Sequence, residues 1–415
     1  MTTEYHATVL QSIAPSRVEL HAPGALEVGA DGRILRAGAP RQRNRGATIV
    51  DLVDRLVIPG LVDAHLHIPQ IDLPGLGAAT LLDWLDRYVF PAELEQSEPE
   101  IARDRARRCF ANLLAHGTTA CAAYSSMHTR ATEIALEEAE RAGIRAVVGK
   151  VLMDREAPAE LLEAPSSALA DTARLIRDWS GRGNGRLAVA ITPRFAVSCS
   201  AALLSGAGAL AKSTGARVQT HLAESVGELA AVQRLFPDAG DYTRVYEDAG
   251  LARAGALFAH CIHVSDAELG RLAQANAALV HCPDSNFFLH SGRFPLARAR
   301  ARGVEIALGT DVGAGTCLSL FETMKLGAYA QSEPVDPLLL FYLATLGGAR
   351  ALGWGSEIGN FAAGKAADFV VLDPTALLGR RPLAEWDARE LISVLMHRNR
   401  ELKVEAVYVA GHRLP

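Results

Sequence analysis

The stretch VIPGLVDAHLHIPQ, residues 57–70, runs from apolar residues into two histidines one residue apart, with a glutamine three residues further on. Side chains alternate faces along an extended strand, so positions i and i+2 point the same way. His65 and His67 therefore share a face at the end of a strand, where both imidazoles can reach one cation. Two hydrogen-bonded core histidines would read alike, so the pair needs support from the rest of the chain.

That support begins with the pattern on either side. From Leu56 onward short apolar runs alternate with helical stretches rich in Ala, Leu, Glu and Arg. The runs are LVIPGLVDAHLH (56–67), TTACAAY (118–124), RAVVGKVLMD (145–154), RLAVAITPRF (186–195), RVQTHLAE (217–224), GALFAHCIH (255–263), AALVHCPDSN (277–286) and VEIALGTDVG (304–313). Strand and helix alternating eight times predict a (β/α)8 barrel, here assigned to residues 58–364. Residues 1–57 read instead as short strands with an ADGRI turn between two of them, a hairpin signal. GKAADFVVLDP (364–374) and KVEAVYVAGHRL (403–414) are strand-like again. The chain ends, 1–57 and 365–415, are therefore expected to meet in one small β-sandwich.

In such a barrel chemistry belongs to the C-terminal ends of the strands and the loops after them. His65 and His67 end the first run, His221 ends the fifth with Glu224 just beyond, His260 ends the sixth and Asp311 ends the eighth. Imidazoles and a carboxylate converging on one rim suit a borderline divalent cation such as zinc or iron(II). His263, His281 and His290 lie near the rim without a role and are read as packing or loop residues. His116 and His128 stay open, and His6, His21, His397 and His412 belong to the small β unit or its approaches.

The bulk figures exclude several classes. A net charge of -5 with no basic stripe argues against a nucleic-acid surface. The run RDRARR (103–108) reads as the solvated face of a helix. Six cysteines stand singly with no CxxC, which fits a reducing compartment. No basic region followed by an apolar run opens the chain, and no apolar stretch approaches the roughly 20 residues of a membrane span. A cytoplasmic, soluble protein is expected.

PGLVDAHLH, THLAE, AHCIH and LGTDV, in that order, resemble the amidohydrolase superfamily, specifically its mononuclear aminohydrolase branch. The likeness runs over nearly the whole chain and includes the closing GNFAAGKAADFVVLDP. HIPQ, LLDWLDRYVFPAE (81–93), GKVLMD (149–154), TPRFAVSCS (192–200) and HCPDSN (281–286) look more narrowly like members that convert guanine and water to xanthine and ammonia. The resemblance implies a purine base as small-molecule substrate, one zinc per subunit with iron(II) as the alternative, and a homodimer. By motif match it implies His65, His67, His221 and Asp311 as metal ligands. Glu224, His260 and Asp311 become the proton-handling residues, and Gln70, Arg194 and Phe195 the purine contacts. Trp84, with Tyr88 and Phe90, reads equally as a helix's buried face and as a lid over the substrate; Trp84 is kept as a binding candidate. The loop CAAYSSMHT (121–129) has Ala122, Ala123 and Ser125 where the resemblance leads one to expect bulkier residues.

Hydrolytic deamination adds water to a carbon bearing an amine in a ring that resists addition, and a cation makes water acidic enough for this. Asp311 is placed to take the water's proton, Glu224 to protonate a ring nitrogen, and His260 to hydrogen-bond the attacking oxygen. Arg194 offers a donor fork for a carbonyl, with a salt bridge as its other reading; Phe195 either stacks on the ring or packs. A binuclear relative would carry a lysine on the fourth run, which has none; Lys150 lies on the third and reads as an ion pair. Two alternatives stay open: a deaminase of another aminated heterocycle (an oxidised guanine, a pterin or a triazine), and a barrel scaffold without catalysis.

Overall fold

The structure is a computed structural model that describes residues 2–41 and 46–415; residues 1 and 42–45 of the expected 1–57 segment lie outside it. Its two sheets account for the two textures of the sequence. The first sheet has eight strands in the order of the chain: Leu61–His67, Thr118–Tyr124, Arg145–Leu152, Leu187–Pro193, Val218–Leu222, Ala256–His260, Ala278–His281 and Glu305–Leu308. The neighbours pair in parallel, for example Ala146 with Leu187 and Ala259 with His221. A backbone bond from the Asp311 N–H to the His65 carbonyl, 2.9 Å, links the loop after the eighth strand to the first. This is the expected nearly closed (β/α)8 barrel. Helices such as Thr129–Ala142 and Pro165–Trp179 fill the crossovers that parallel pairing demands.

All seven residues of the first barrel strand and of the second are buried, as a strand covered on both faces must be. The long run 56–67 divides at Gly60. Residues before it belong to a strand of the other sheet, Thr48–Pro59, and Leu61–His67 belongs to the barrel. Gly60 is needed there, since a Cβ would stand 1.9 Å from the Thr119 hydroxyl oxygen.

The second sheet has seven strands drawn from both chain ends. In spatial order they are His412–Arg413, Lys403–Val409, Phe369–Asp373, Thr48–Pro59, Thr3–Ala14, Arg17–Val28 and Ile34–Gly38. The ADGRI hairpin is present: Arg17–Val28 pairs antiparallel with Ile34–Gly38. A core of Tyr5, Val9, Leu26, Ile34, Val57, Phe369 and Val371 fills this sheet's inner face, with Phe369 stacked on Tyr408 at 4.2 Å.

The described residues divide into two compact units. One comprises the chain up to Asp63, Asn112–Ala120 and Ser319–Pro415; the other is Ala64–Ala111 with Cys121–Leu318. Every candidate site residue lies in the second. Among the described residues no helix is long and apolar enough to cross a membrane. None of the six cysteines is in a disulfide, and five of them are buried.

Candidate active site

The rim of the barrel gathers the residues that the strand-end pattern singled out. His65 and His67 end the first strand and are 2% and 3% exposed; His221, one residue before the end of the fifth strand, is 8% exposed. Ligand atoms of these three lie within 4.8 Å of one another, as do those of His65, His260 and Asp311. His67 Nε2 is 3.2 Å from His221 Nε2, and Asp311 Oδ1 lies 3.2 Å from His65 Nε2 and 3.4 Å from His67 Nε2.

The surroundings show which atoms face inward. His221 Nδ1 lies 2.6 Å from the Arg194 carbonyl oxygen, which can only accept; Nδ1 therefore carries the proton and Nε2 presents its lone pair. Burial holds His67 and His221 well below the usual histidine range, so both stay neutral and able to donate a lone pair. Asp311 would rise through burial alone, but His65 and His260 bring it down to about 2, and it stays ionised. Neutral imidazoles and an anionic oxygen converging in a buried space are the donor set of a divalent cation. The residues present fit such an ion.

Beside this set stand two more buried titratable groups, Glu224 and His260. His260 Nε2 is 3.5 Å from Glu224 Oε2 and 3.7 Å from Asp311 Oδ2. Burial pushes Glu224 up to about 7. Burial opposes charge on His260, yet Glu224 and Asp311 raise it above its ordinary value. Together the two hold a proton near neutral pH, as a proton donor must.

Local backbone aims these groups. Ala223 (φ 51°), His260 (φ 69°), Cys261 (φ 48°) and Asp311 (φ 50°) are all left-handed. Such non-glycine residues cost about 1–3 kcal/mol each and persist where neighbouring structure over-determines them. Here they turn the chain sharply at strand ends. The helix after the fifth strand, Val226–Leu235, opens on a capping box of Ser225 and Glu228. Glu228 Oε2 also accepts from the Glu224 N–H at 2.7 Å, while Oε1 accepts from Tyr242 at 2.7 Å.

A cavity opens on the imidazoles and the two carboxylates. Gln70, Trp84, Arg194 and Phe195, all expected as substrate contacts, are on its wall with His67, His221, Glu224, His260 and Asp311. Arg194 lines the cavity and also forms a buried ion pair with Glu93, the other reading of this residue. Trp84 is 3% exposed and its indole N–H is anchored on the Leu76 carbonyl at 2.6 Å. Its helical segment is thus both a buried face and a wall of the cavity.

Three residues went unrecognised in the sequence although each lies in or near a quoted motif. Glu93 closes LLDWLDRYVFPAE, Asn286 closes HCPDSN and accepts from His260 Nδ1 at 2.9 Å, and Ser291 donates to Glu224 Oε1 at 3.2 Å. Glu93 and Asn286, each the last residue of a quoted motif, were open to notice; Ser291 lies beyond one and carried no such signal. The remaining expectations fall out simply. Lys150 is fully buried and paired with Glu163. His281 stacks on Phe294 at 4.6 Å, and His263 bonds the Ser291 carbonyl at 2.9 Å.

A barrel with an imidazole-rich site for a divalent cation at its mouth defines the class of metal-dependent hydrolase barrels. Residues 56–414 match the amidohydrolase family, and the chain belongs to it. Among similar proteins, guanine deaminase of Escherichia coli K12 is 39% identical over 331 residues, 79% of this chain and 75% of its own. A guanine deaminase from C. acetobutylicum, solved with guanine bound in its active site, superposes with a TM-score of 0.94 at 29% identity, covering 100% of both chains. An adenosine deaminase from Xanthomonas campestris, solved with bound zinc, has a TM-score of 0.86 at 26% identity over 99% of this chain and 92% of its own.

Proposed function

We propose that this protein is a guanine deaminase, hydrolysing guanine to xanthine and ammonia. The observation that carries the reading is the convergence of the His/Asp donor set and the Glu224–His260 pair on a cavity walled by Gln70, Arg194 and Phe195. The likeness to the E. coli and C. acetobutylicum enzymes supports guanine among aminated rings. In this reading His65, His67, His221 and Asp311 hold one divalent cation. Zinc is favoured by three neutral imidazoles and by the zinc-bound relative, with iron(II) the alternative. When bound, such a cation supplies the acidity that makes water a nucleophile near neutral pH.

The chain's own residues do the rest. Asp311, ionised and 3.7 Å from His260 Nε2, takes the proton of the attacking water. Glu224, raised by burial to about 7 and so still partly protonated at neutral pH, delivers a proton to a ring nitrogen and localises the ring's double bonds for addition. His260 hydrogen-bonds the incoming oxygen; its Nδ1 is tied to Asn286, which fixes Nε2 toward the reacting carbon. The proton gathered from water then leaves with the amine as ammonia, and the added hydroxyl returns its proton to Glu224 as the carbonyl forms. Arg194 donates to the ring carbonyl, Gln70 pairs with the purine edge, and Phe195 and Trp84 cover the ring.

The chain ends, 1–57 and 365–415, form a separate small domain in this reading, and the enzyme works as a cytoplasmic homodimer, a state that light scattering would check. The test of function is turnover. The metal-analysed protein is incubated with guanine, adenine, cytosine, a pterin and an oxidised guanine, and ammonia is followed alongside xanthine absorbance. Guanine must be the preferred ring. A metal-loaded protein that leaves guanine untouched refutes the substrate, and turnover of another ring would rename the enzyme while keeping the chemistry.

A further inference from the structure

Arg194 of the cavity wall is paired with Glu93, a carboxylate that no step of the reaction uses. Their side chains are 3% and 0% exposed. Arg194 follows the fourth barrel strand, Leu187–Pro193, and Glu93 lies on the short helix Phe90–Leu94. Arg194 Nη1 donates to Glu93 Oε1, and the guanidinium carbon stands 5.7 Å from the Phe90 ring centroid. Arg194 also lines the cavity. Glu93 Oε2 has no hydrogen-bond partner among the described residues, so its carboxylate is committed to Arg194 alone.

A guanidinium does not give up its proton. Burial pushes the Glu93 carboxyl up and the adjacent guanidinium offsets part of that rise; the ionised form is the one that leaves no buried cation unpaired. The reason for neutralising this donor lies in the reaction proposed above, on which the inference rests. Exchanging the amine of guanine for a second carbonyl gives a ring that loses an N–H proton more readily than the substrate ring does. A bare guanidinium in so buried a site would hold the product anion better than the neutral substrate.

We propose that Glu93 determines charge specificity: by neutralising Arg194 it lets the fork read a ring carbonyl as a hydrogen-bond acceptor while denying the cavity an affinity for anionic rings, the ionised product among them. Glu93 touches neither substrate nor metal in this arrangement. It acts through Arg194.

The experiment compares metal-loaded wild type, Glu93→Gln and Glu93→Asp by calorimetric titration with two rings that lack the reacting amine. Hypoxanthine is neutral at neutral pH and urate is an anion. Removing one of two opposed charges in the cavity wall tightens urate relative to hypoxanthine by about tenfold or more in Glu93→Gln. Glu93→Asp retracts the carboxylate by one methylene and moves the same ratio the same way by a smaller factor; it decides the matter if the Gln variant does not fold. Xanthine inhibition of guanine turnover strengthens in parallel. If both rings weaken together, or the ratio stays at its wild-type value in both variants, Glu93 merely props Arg194 and the proposal is wrong. Because titration needs no turnover, failure of the charge inference is read separately from failure of guanine as the substrate.

Discussion

Gly313→Ala should disable substrate recognition without touching a polar group. Gly313 lies two residues after Asp311 with φ +123°, and a Cβ there would stand 2.2 Å from Gln70 Oε1 and 2.6 Å from Gln70 Cβ. The carboxamide can swing away, but Gln70 Cβ is fixed to the backbone of the short turn Ile68–Gln70. Restoring a contact of 3.4 Å from 2.6 Å moves that turn by about 0.8 Å, and misplacements near 1 Å can cost about 100-fold in rate. We expect kcat/KM for guanine to fall about 100-fold, about 2.7 kcal/mol. Backbone strain of about 1–3 kcal/mol should lower Tm by several degrees. Steady-state ammonia release, metal content and thermal melting are measured on the single variants and on Gly313→Ala/Gln70→Gly. Because Gln70→Gly removes both obstructing atoms, the two substitutions must couple; in that background Gly313→Ala costs only its strain. A variant with near-normal kcat/KM, or strict additivity in the double variant, refutes the reasoning. Loss of metal would mean that the substitution acts through Asp311 instead.

Glu224→Gln should lower kcat by about 10²–10⁴ with metal retained, measured by ammonia release and metal analysis. Glu224 must be protonated to act, and burial raises it to about 7, so kcat/KM should hold below that pH and fall about tenfold per unit above it. Asp311, held at about 2, should add no acid limb in the accessible range, and Glu224→Gln should abolish the alkaline one. Chelation should lower Tm and abolish turnover, both restored by zinc. Because His67 and His221 are held neutral far below their usual range, zinc affinity in competition titrations should stay nearly flat between about pH 6 and pH 8; a steep loss toward pH 6 would contradict that account. Asn286→Leu strips the acceptor from His260 Nδ1 and should reduce kcat with little change in KM; an unchanged kcat would remove Asn286 from the positioning of His260.

The residues that the sequence betrayed and those it hid differ in kind. His65 and His67 were legible because strand geometry alone puts i and i+2 on one face, and the buried Leu61–His67 strand realises it. His221, Glu224, His260 and Asp311 were legible because chemistry in a parallel barrel gathers at strand ends, and apolar runs mark those ends. The division of residues 56–67 at Gly60 was not. One continuous apolar run serves two sheets, and only the approach of Thr119 shows why a glycine must stand between them.

What the chain determined by itself was therefore local: eight buried strands, their order, and which polar residues sit where each one stops. Tertiary structure alone decided the distances across the barrel. Glu93 meets Arg194 across 101 positions, Asn286 meets His260 across 26, and Gly313 makes room for Gln70 from the loop after the eighth strand. Periodicity reports which face a side chain takes along its own strand or helix. Which distant side chain it then meets is set by the closing of the sheet and the left-handed turns at its rim, and neither leaves a local signal in sequence.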